Sequence, residues 1–355
     1  MSKVGIIVPS LKSGGLERVA TLIANEGIVN HEITLITLDS EPPFYSLNEN
    51  VNLVQAPKQI SRQDKIKRFV NNGLWLRKIV NELKPDVICS FGEKYNSFVL
   101  LFLMGLKIPV YVANRTSPIS SIKGRYGRIN PIAYKFSAGV ILQTKQSVDI
   151  LKSKYKLKRT VVIGNPIDLN YPYLLREKII LNVGSIGGNK NQDWLIRYFS
   201  ELETENWKLH FAGDGTLKDN CITLSKKLQV NDSVSFLGII KDIKPHYSNA
   251  SIFAFTSTLE GFPNALAEAM AAGCACIAYD CIAGPSDIID DGVNGFLIPV
   301  GNESLYKEKL KLLMNNSELR EKFGSAAKEK MKMFEASVIA YKFYQFITQE
   351  IENSN

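Results

Sequence analysis

The feature that constrains this chain most is a series of short, largely apolar, β-branched runs, each followed by a stretch of helical spacing. KVGIIVP, EITLITL, VNLVQAP, DVICSF, VYVANR, GVILQT and VVIGNP succeed one another in the first half. KIILNVG, KLHFAGDG, SVSFLG, IFAFTS, CACIAYD and GFLIP do so in the second. A strand with one face in water alternates apolar and polar residues, and the most apolar of these runs, KVGIIVP, KIILNVG, IFAFTS and CACIAYD among them, do not. They suit parallel strands covered by helices on both faces. The series is interrupted at GNPIDLNYPY, Gly164 to Tyr173, with its two prolines, which predicts two doubly wound α/β domains. The chain's 355 residues suffice for both. Ligands of such sheets bind beyond the carboxyl ends of the strands, and the cleft between two such domains is the expected site.

Composition narrows the class. With 45% hydrophobic and 22% charged residues the chain reads as globular. The N-terminal run MSKVGIIVPSL is too short for a signal peptide, which predicts a cytoplasmic protein. SFVLLFLMGL, Ser97 to Leu106, falls short of the roughly 20 apolar residues of a membrane-spanning helix. Five cysteines, three of them in apolar runs, suit reduced, buried thiols. His31, His210 and His246 are widely separated and no C-x-x-C occurs, so no metal cage is expected. Residues 1–170 hold 24 Lys/Arg against 12 Asp/Glu, whereas the remainder is mildly acidic. A basic half points to an anionic partner: nucleic acid, a phosphorylated substrate or an anionic membrane.

Three glycine turns follow strands. PSLKSGGLERVA places Gly14 and Gly15 at the opening of a helix, where backbone N–H groups can approach an anion. LNVGSIGGNKNQDWLIRYF repeats the plan and puts Lys190 where loop becomes helix, within reach of a phosphate held there. HFAGDG, with Gly213 and Gly215, is a tight turn without evident chemistry. The fourth loop carries more. In LEGFPNALAEAMAAG, Pro263 suits the first helical position and Gly273 a left-handed stop, so a helix is predicted from 263 to 272. Glu260 then stands in the loop, beside the N–H groups of Gly261, Phe262, Asn264 and Ala265, and Glu268 stands about a turn and a half into the helix. Between Ala265 and Ala272 almost every other residue is Ala, Leu or Met, so both acids need partners, which a hydroxyl-rich ligand would supply.

Glu260, seven intervening residues and Glu268 in EGFPNALAEAMAAG resemble the E-x7-E motif of retaining GT-B glycosyltransferases of the group 1, family 4 type. SGGLERVA, NPID, VGSI…KNQDWLI, FAGDG, FLG and GPSDIIDDGVNGFLIP fall in that family's order over nearly the whole chain, with the second-domain motifs the more specific. The resemblance implies two Rossmann-like domains facing across a cleft: residues 1–168 for the acceptor, 169–333 for the nucleotide sugar, and 334–355 a C-terminal helix packing back on the first. It implies a UDP-sugar donor and no metal or other cofactor. Glu260 would lie beside the transferred sugar as the catalytic residue, Glu268 would bind the ribose, and Lys190 would pair with the diphosphate. Gly14, Gly15 and the segment Gly261, Phe262, Pro263, Asn264, Ala265 would complete the donor site. One position departs from the pattern: Ser185 stands where the family usually carries a second cation, an Arg. Arg115, in VYVANRTSP at the end of a first-domain strand, is the candidate substitute facing the same cleft.

The stretch SRQDKIKRFVNNGLWLRKIVNELK reads as a helix with an apolar core stripe and a basic face of Arg62, Lys65, Lys67, Arg68, Arg77 and Lys78. SIKGRYGR and LKSKYKLKR add eight cations. Such clusters favour an anionic membrane surface, at about 1 kcal/mol per basic residue, over nucleic acid, for which no binding module accompanies the charge. The combined reading is a transferase, peripheral on the inner face of a bacterial cell membrane. It would extend a polyprenyl-diphosphate-linked saccharide with a hexose or N-acetylhexosamine, N-acetylgalactosamine and related hexosamine transferases being the nearest pattern, for a capsule, O-antigen or glycoprotein glycan. Two alternatives stay open: a non-catalytic GT-B partner of another transferase, and a sugar-nucleotide epimerase of the same fold.

Overall fold

The computed structural model of the chain describes residues 1–12, 14–57, 65–203 and 205–352. It divides into two compact units, Met1–Pro166 with Ala336–Asn355, and Ile167–Glu335. Each of the apolar runs is a strand. In unit 1 these are β1 Ser2–Val8, β2 His31–Thr37, β3 Asn52–Gln55, β4 Val87–Phe91, β5 Val110–Ala113, β6 Gly139–Leu142 and β7 Thr160–Val162. In unit 2 they are β8 Glu177–Val183, β9 Lys208–Ala212, β10 Val234–Gly238, β11 Ala250–Phe255, β12 Ala275–Asp280 and β13 Phe296–Pro299.

The sheets run β3-β2-β1-β4-β5-β6-β7 and β10-β9-β8-β11-β12-β13. The paired strands of both are parallel. Burial explains the missing alternation: every residue of β4 and of β11 is buried, because helices cover both faces, while the edge strand β3 has none fully buried. Order reverses between β1 and β4 in unit 1 and between β8 and β11 in unit 2. At such a switch point the connections leave in opposite directions and open a crevice beyond the strand ends.

The helix Ala336–Glu352 packs within unit 1 against the helix Gly15–Gly27. Tyr344 donates its hydroxyl hydrogen to Ile23 O at 2.8 Å, and Gly27 leaves the room that the Tyr344 ring fills. Phe343 is fully buried with its ring 5.8 Å from that of Phe91. Arg159 reaches the same helix, its Nη2 donating to Phe346 O at 3.2 Å and to Gln349 Oε1 at 3.1 Å. The last helix is therefore part of the core of unit 1. Phe343→Ala should destabilise unit 1 by about 3–5 kcal/mol, the cost of emptying a large buried aromatic site. Hydrogen exchange followed by mass spectrometry in increasing urea should show β1 and β4 losing protection earlier while β8 and β11 are unaffected.

Candidate active site

In unit 2 the loops after β8 and β11 are stitched together. Thr256 donates its hydroxyl hydrogen to Lys190 O at 2.7 Å, and the Thr258 N–H to Asn189 O at 2.8 Å. Asn191 Nδ2 donates to Thr256 O at 3.1 Å. The chain can make this close turn because Gly184 and Gly187 sit at φ 150° and 145° and Asn191 at φ 50°, a left-handed position that Asn tolerates. Lys190 closes the single turn Gly188–Lys190, directly before the helix Gln192–Glu201. Its Nζ lies 2.5 Å from Glu260 Oε1 and 5.7 Å from the centre of the Phe255 ring. The two side chains remain 26% and 12% exposed, so the pair is accessible to a ligand.

The helix after Glu260 runs Asn264–Ala272 and ends at Gly273, at φ 82°, as the glycine position requires. Pro263 stands one place outside it, since its ψ of 70° has left the helical range, which corrects the expected start. Pro263, the residue at the cap position, supplies no side-chain cap, and the first turn of a helix leaves N–H groups without helical partners. Pro263 is held by Gly284, where any side chain would strike the Pro263 ring. Phe262 is buried against Phe334, ring centres 5.8 Å apart, and Gly261 is partly exposed. Asn264 N–H donates to Phe262 O at 2.9 Å, and partly exposed Ala265 follows. Glu268 is buried on this helix, and its partner is supplied by the protein: Tyr247 donates its hydroxyl hydrogen to Glu268 Oε2 at 3.0 Å. Burial, then the nearby carboxylate, holds the Tyr247 phenol well above its ordinary range, so it stays a donor. The partners that a hydroxyl-rich ligand was expected to supply are thus already provided by the protein for both acids, Lys190 for Glu260 and Tyr247 for Glu268. Ser185 is exposed at the same loop, and its carbonyl accepts from Gln192 Nε2 at 3.0 Å.

The other residues singled out from the sequence lie in unit 1. Gly14 precedes the helix Gly15–Gly27, and a side chain at Gly14 would run into the Glu17 carboxylate. Arg115 is not the accessible cation expected from sequence. It is buried, lies over the Phe91 ring at 5.1 Å and donates from Nη1 to Asn165 Oδ1 at 3.0 Å. Burial lowers its pKa to about 10. Among the basic residues of the long helix, observed over Lys65–Leu83, Arg62 lies outside the described residues. Lys65, Lys67, Arg68 and Lys78 are exposed, and Lys78 lies 3.8 Å from Glu82. Arg77 differs: Nη1 donates to Phe102 O and Met104 O, both at 2.8 Å, so it caps the end of the helix Glu93–Leu103 and does not face outward. The apolar stripe is also only partly core, since Leu76 and Val80 are buried but Ile66, Phe69, Val70 and Leu74 are exposed. Sequence reasoning missed Tyr247, which no motif marks. It also missed Glu93, although a Gly-Glu step directly after a buried central strand was a readable signal.

Comparison with known proteins places these loops in context. Over its full length the chain is 27% identical to the whole of a Campylobacter jejuni protein named GalNAc-alpha-(1->4)-GalNAc-alpha-(1->3)-diNAcBac-PP-undecaprenol alpha-1,4-N-acetyl-D-galactosaminyltransferase. It is 27% identical to the amylovoran biosynthesis glycosyltransferase AmsD of Erwinia amylovora, over 92% of this chain and 94% of that protein. Among solved structures, the Anabaena protein HepE in complex with UDP and glucose matches with a TM-score of 0.81 at 17% identity, over all of both chains. A mutant of Staphylococcus aureus TarM, in complex with fondaparinux, alpha-GlcNAc-glycerol and UDP, matches with a TM-score of 0.80 at 16% identity, over 98% of this chain and 99% of that one. These likenesses show the GT-B fold. Residues 13–171 match the model of glycosyltransferase family 4 and residues 173–330 that of the glycosyl transferases group 1, so the chain belongs to the group 1 glycosyltransferases.

Proposed function

We propose that this glycosyltransferase moves a sugar, an N-acetylhexosamine or hexose, from a UDP-sugar to a polyprenyl-diphosphate-linked saccharide in bacterial surface-glycan synthesis, with retention and without a metal. The observation that carries the donor half is the juxtaposition of Lys190 and Glu260 at 2.5 Å, on two loops at the sheet's switch point, just before the helix start at Asn264. An ammonium and the free N–H groups of a helix start suit a diphosphate. A diphosphate taking Lys190 would release the Glu260 carboxylate to face the transferred sugar, on which positive charge grows as the bond to the diphosphate breaks. Glu268, four residues into the helix, would accept from a ribose hydroxyl while keeping Tyr247. The acceptor half is supported by the undecaprenol-linked saccharides in the names of the Campylobacter relatives.

The acceptor class implies work at a membrane. No helix among the described residues is long and apolar enough to cross one. The helix Lys65–Leu83 instead exposes Ile66, Phe69, Val70 and Leu74 beside Lys65, Lys67 and Arg68. Apolar side chains that insert and cations that meet lipid phosphates together suit the anionic inner leaflet.

Three outcomes check this reading. Glu260→Gln should lower kcat at least ~100-fold, the scale of a lost transition-state electrostatic contact, while Glu268→Ala should chiefly raise the donor KM. Near-normal turnover in the Glu260 variant would remove that residue from the chemistry. Calorimetric titration with UDP should show Lys190→Ala weakening binding at least ~10-fold and Ser185→Arg tightening it, by the worth of a charge-assisted hydrogen bond. Arg115→Ala in the same titration tests whether that buried cation touches the nucleotide at all. Finally, Ile66→Ser, Lys67→Glu and Val70→Ser combined should reduce co-sedimentation with phosphatidylglycerol vesicles several-fold, with wild-type binding released by salt. Activity on a short water-soluble acceptor should survive, and unchanged vesicle binding would leave this helix a merely solvated face.

A further inference from the structure

The helix that carries Glu268 ends at Ala272, and the last carbonyls of any helix need partners from elsewhere. Arg176, directly before β8, supplies one: its Nη2 donates to Ala272 O at 2.6 Å. The other arm of the same guanidinium turns to the end of the helix Lys244–Asn249, which carries Tyr247. Its Nη1 donates to Ala250 O and, at 3.3 Å, to Tyr247 O, and it lies 3.6 Å from Cys274 Sγ. The Cys274 thiol in turn donates to Tyr247 O at 3.1 Å. The residues on either side of Arg176 are fastened to the same helix end. Asn249 Nδ2 donates to Leu175 O at 3.1 Å and to Glu177 Oε1 at 3.0 Å, and the Ser251 hydroxyl donates to Glu177 O at 2.5 Å.

The two helices joined in this way are the two that form the Tyr247–Glu268 bond of 3.0 Å. A guanidinium is a planar fork with fixed angles, so bonds from its two arms fix the distance between the carbonyls they reach. A positive group at the end of a helix is also favoured by the helix dipole. The Tyr247 hydroxyl stands at the tip of a stiff side chain whose ring is 5.8 Å from that of Phe253. A small shift of either helix therefore carries the hydroxyl away from Glu268, and a buried carboxylate that loses its donor pays for it by moving or taking up a proton. We propose that Arg176 is a positioning residue of the donor site: its fork sets the spacing of the two helices and so holds Glu268, through Tyr247, where a ribose hydroxyl meets it. The inference rests on the reading of Glu268 as the ribose acceptor and adds a residue that acts on the ligand only through others.

The test is a double-mutant cycle on the full chain, read by calorimetric titration with UDP. Glu268→Ala should weaken binding about tenfold, the worth of one hydrogen bond to a charged group. Arg176→Met, which keeps the apolar stem and removes the fork, should weaken it about three- to tenfold, and Arg176→Lys, with a single nitrogen, should recover part of that loss. Added to Glu268→Ala, Arg176→Met should change UDP affinity by less than about twofold, because the group it positions is already gone. A support of the unit at large would instead give the same fold-loss in both backgrounds, and that result would overturn the assignment. Wild-type affinity in Arg176→Met would overturn it as well. Where Arg176→Met melts below the temperature of the titration, Arg176→Lys, alone and with Glu268→Ala, gives the same comparison. UDP affinity unchanged by Glu268→Ala would refute the ribose reading and this inference with it, and absence of UDP binding from wild type would refute the donor reading itself.

Discussion

Everything functional in this protein depends on one constraint: a parallel sheet whose two faces are both covered must send its connections back the same way. All the loops that follow strands then gather at one end of the sheet, and the reversal of strand order opens a crevice there. In unit 2 this places the loops after β8 and β11 side by side, 70 residues apart in sequence at the Lys190–Glu260 contact. In unit 1 it places Glu93 beside the loop that carries Thr116.

The polar groups at these loops are pre-paired, and the pairings differ in kind. Lys190 and Glu260 both keep some exposure, so their ion pair is within reach of a charged ligand that could exchange with one partner. Glu268 and Tyr247 are buried, and an unpaired carboxylate there would be costly, which makes that bond a fixed support. The same helix thus begins beside an accessible pair and carries a buried one.

The basic half of the chain resolves into cations with different occupations. Arg77 caps carbonyls of a neighbouring helix, Arg115 is enclosed over Phe91, and Arg159 ties down the last helix. Lys65, Lys67 and Arg68 remain at the surface with exposed Ile66, Phe69 and Val70 among them. Net charge therefore overstated the number of cations facing outward and understated the apolar surface that accompanies them. A cluster count cannot separate the two, because a guanidinium serves equally well as a carbonyl cap and as an anion contact.

What the sequence determined by itself is whatever local physics decides. Largely apolar β-branched runs suit a sheet covered on both faces, so the strands were legible one by one. Gly273 marks a helix end because a left-handed residue is required there, and seven residues between two acids put one in the loop and the other on the helix. The partners of the buried and half-buried charges were decided only by the tertiary structure. Tyr247 reaches Glu268 across 21 residues, and Arg77 reaches Met104 across 27. Such pairings depend on which loops the sheet order brings together, and strand order is settled by packing of the whole domain, which no local periodicity encodes.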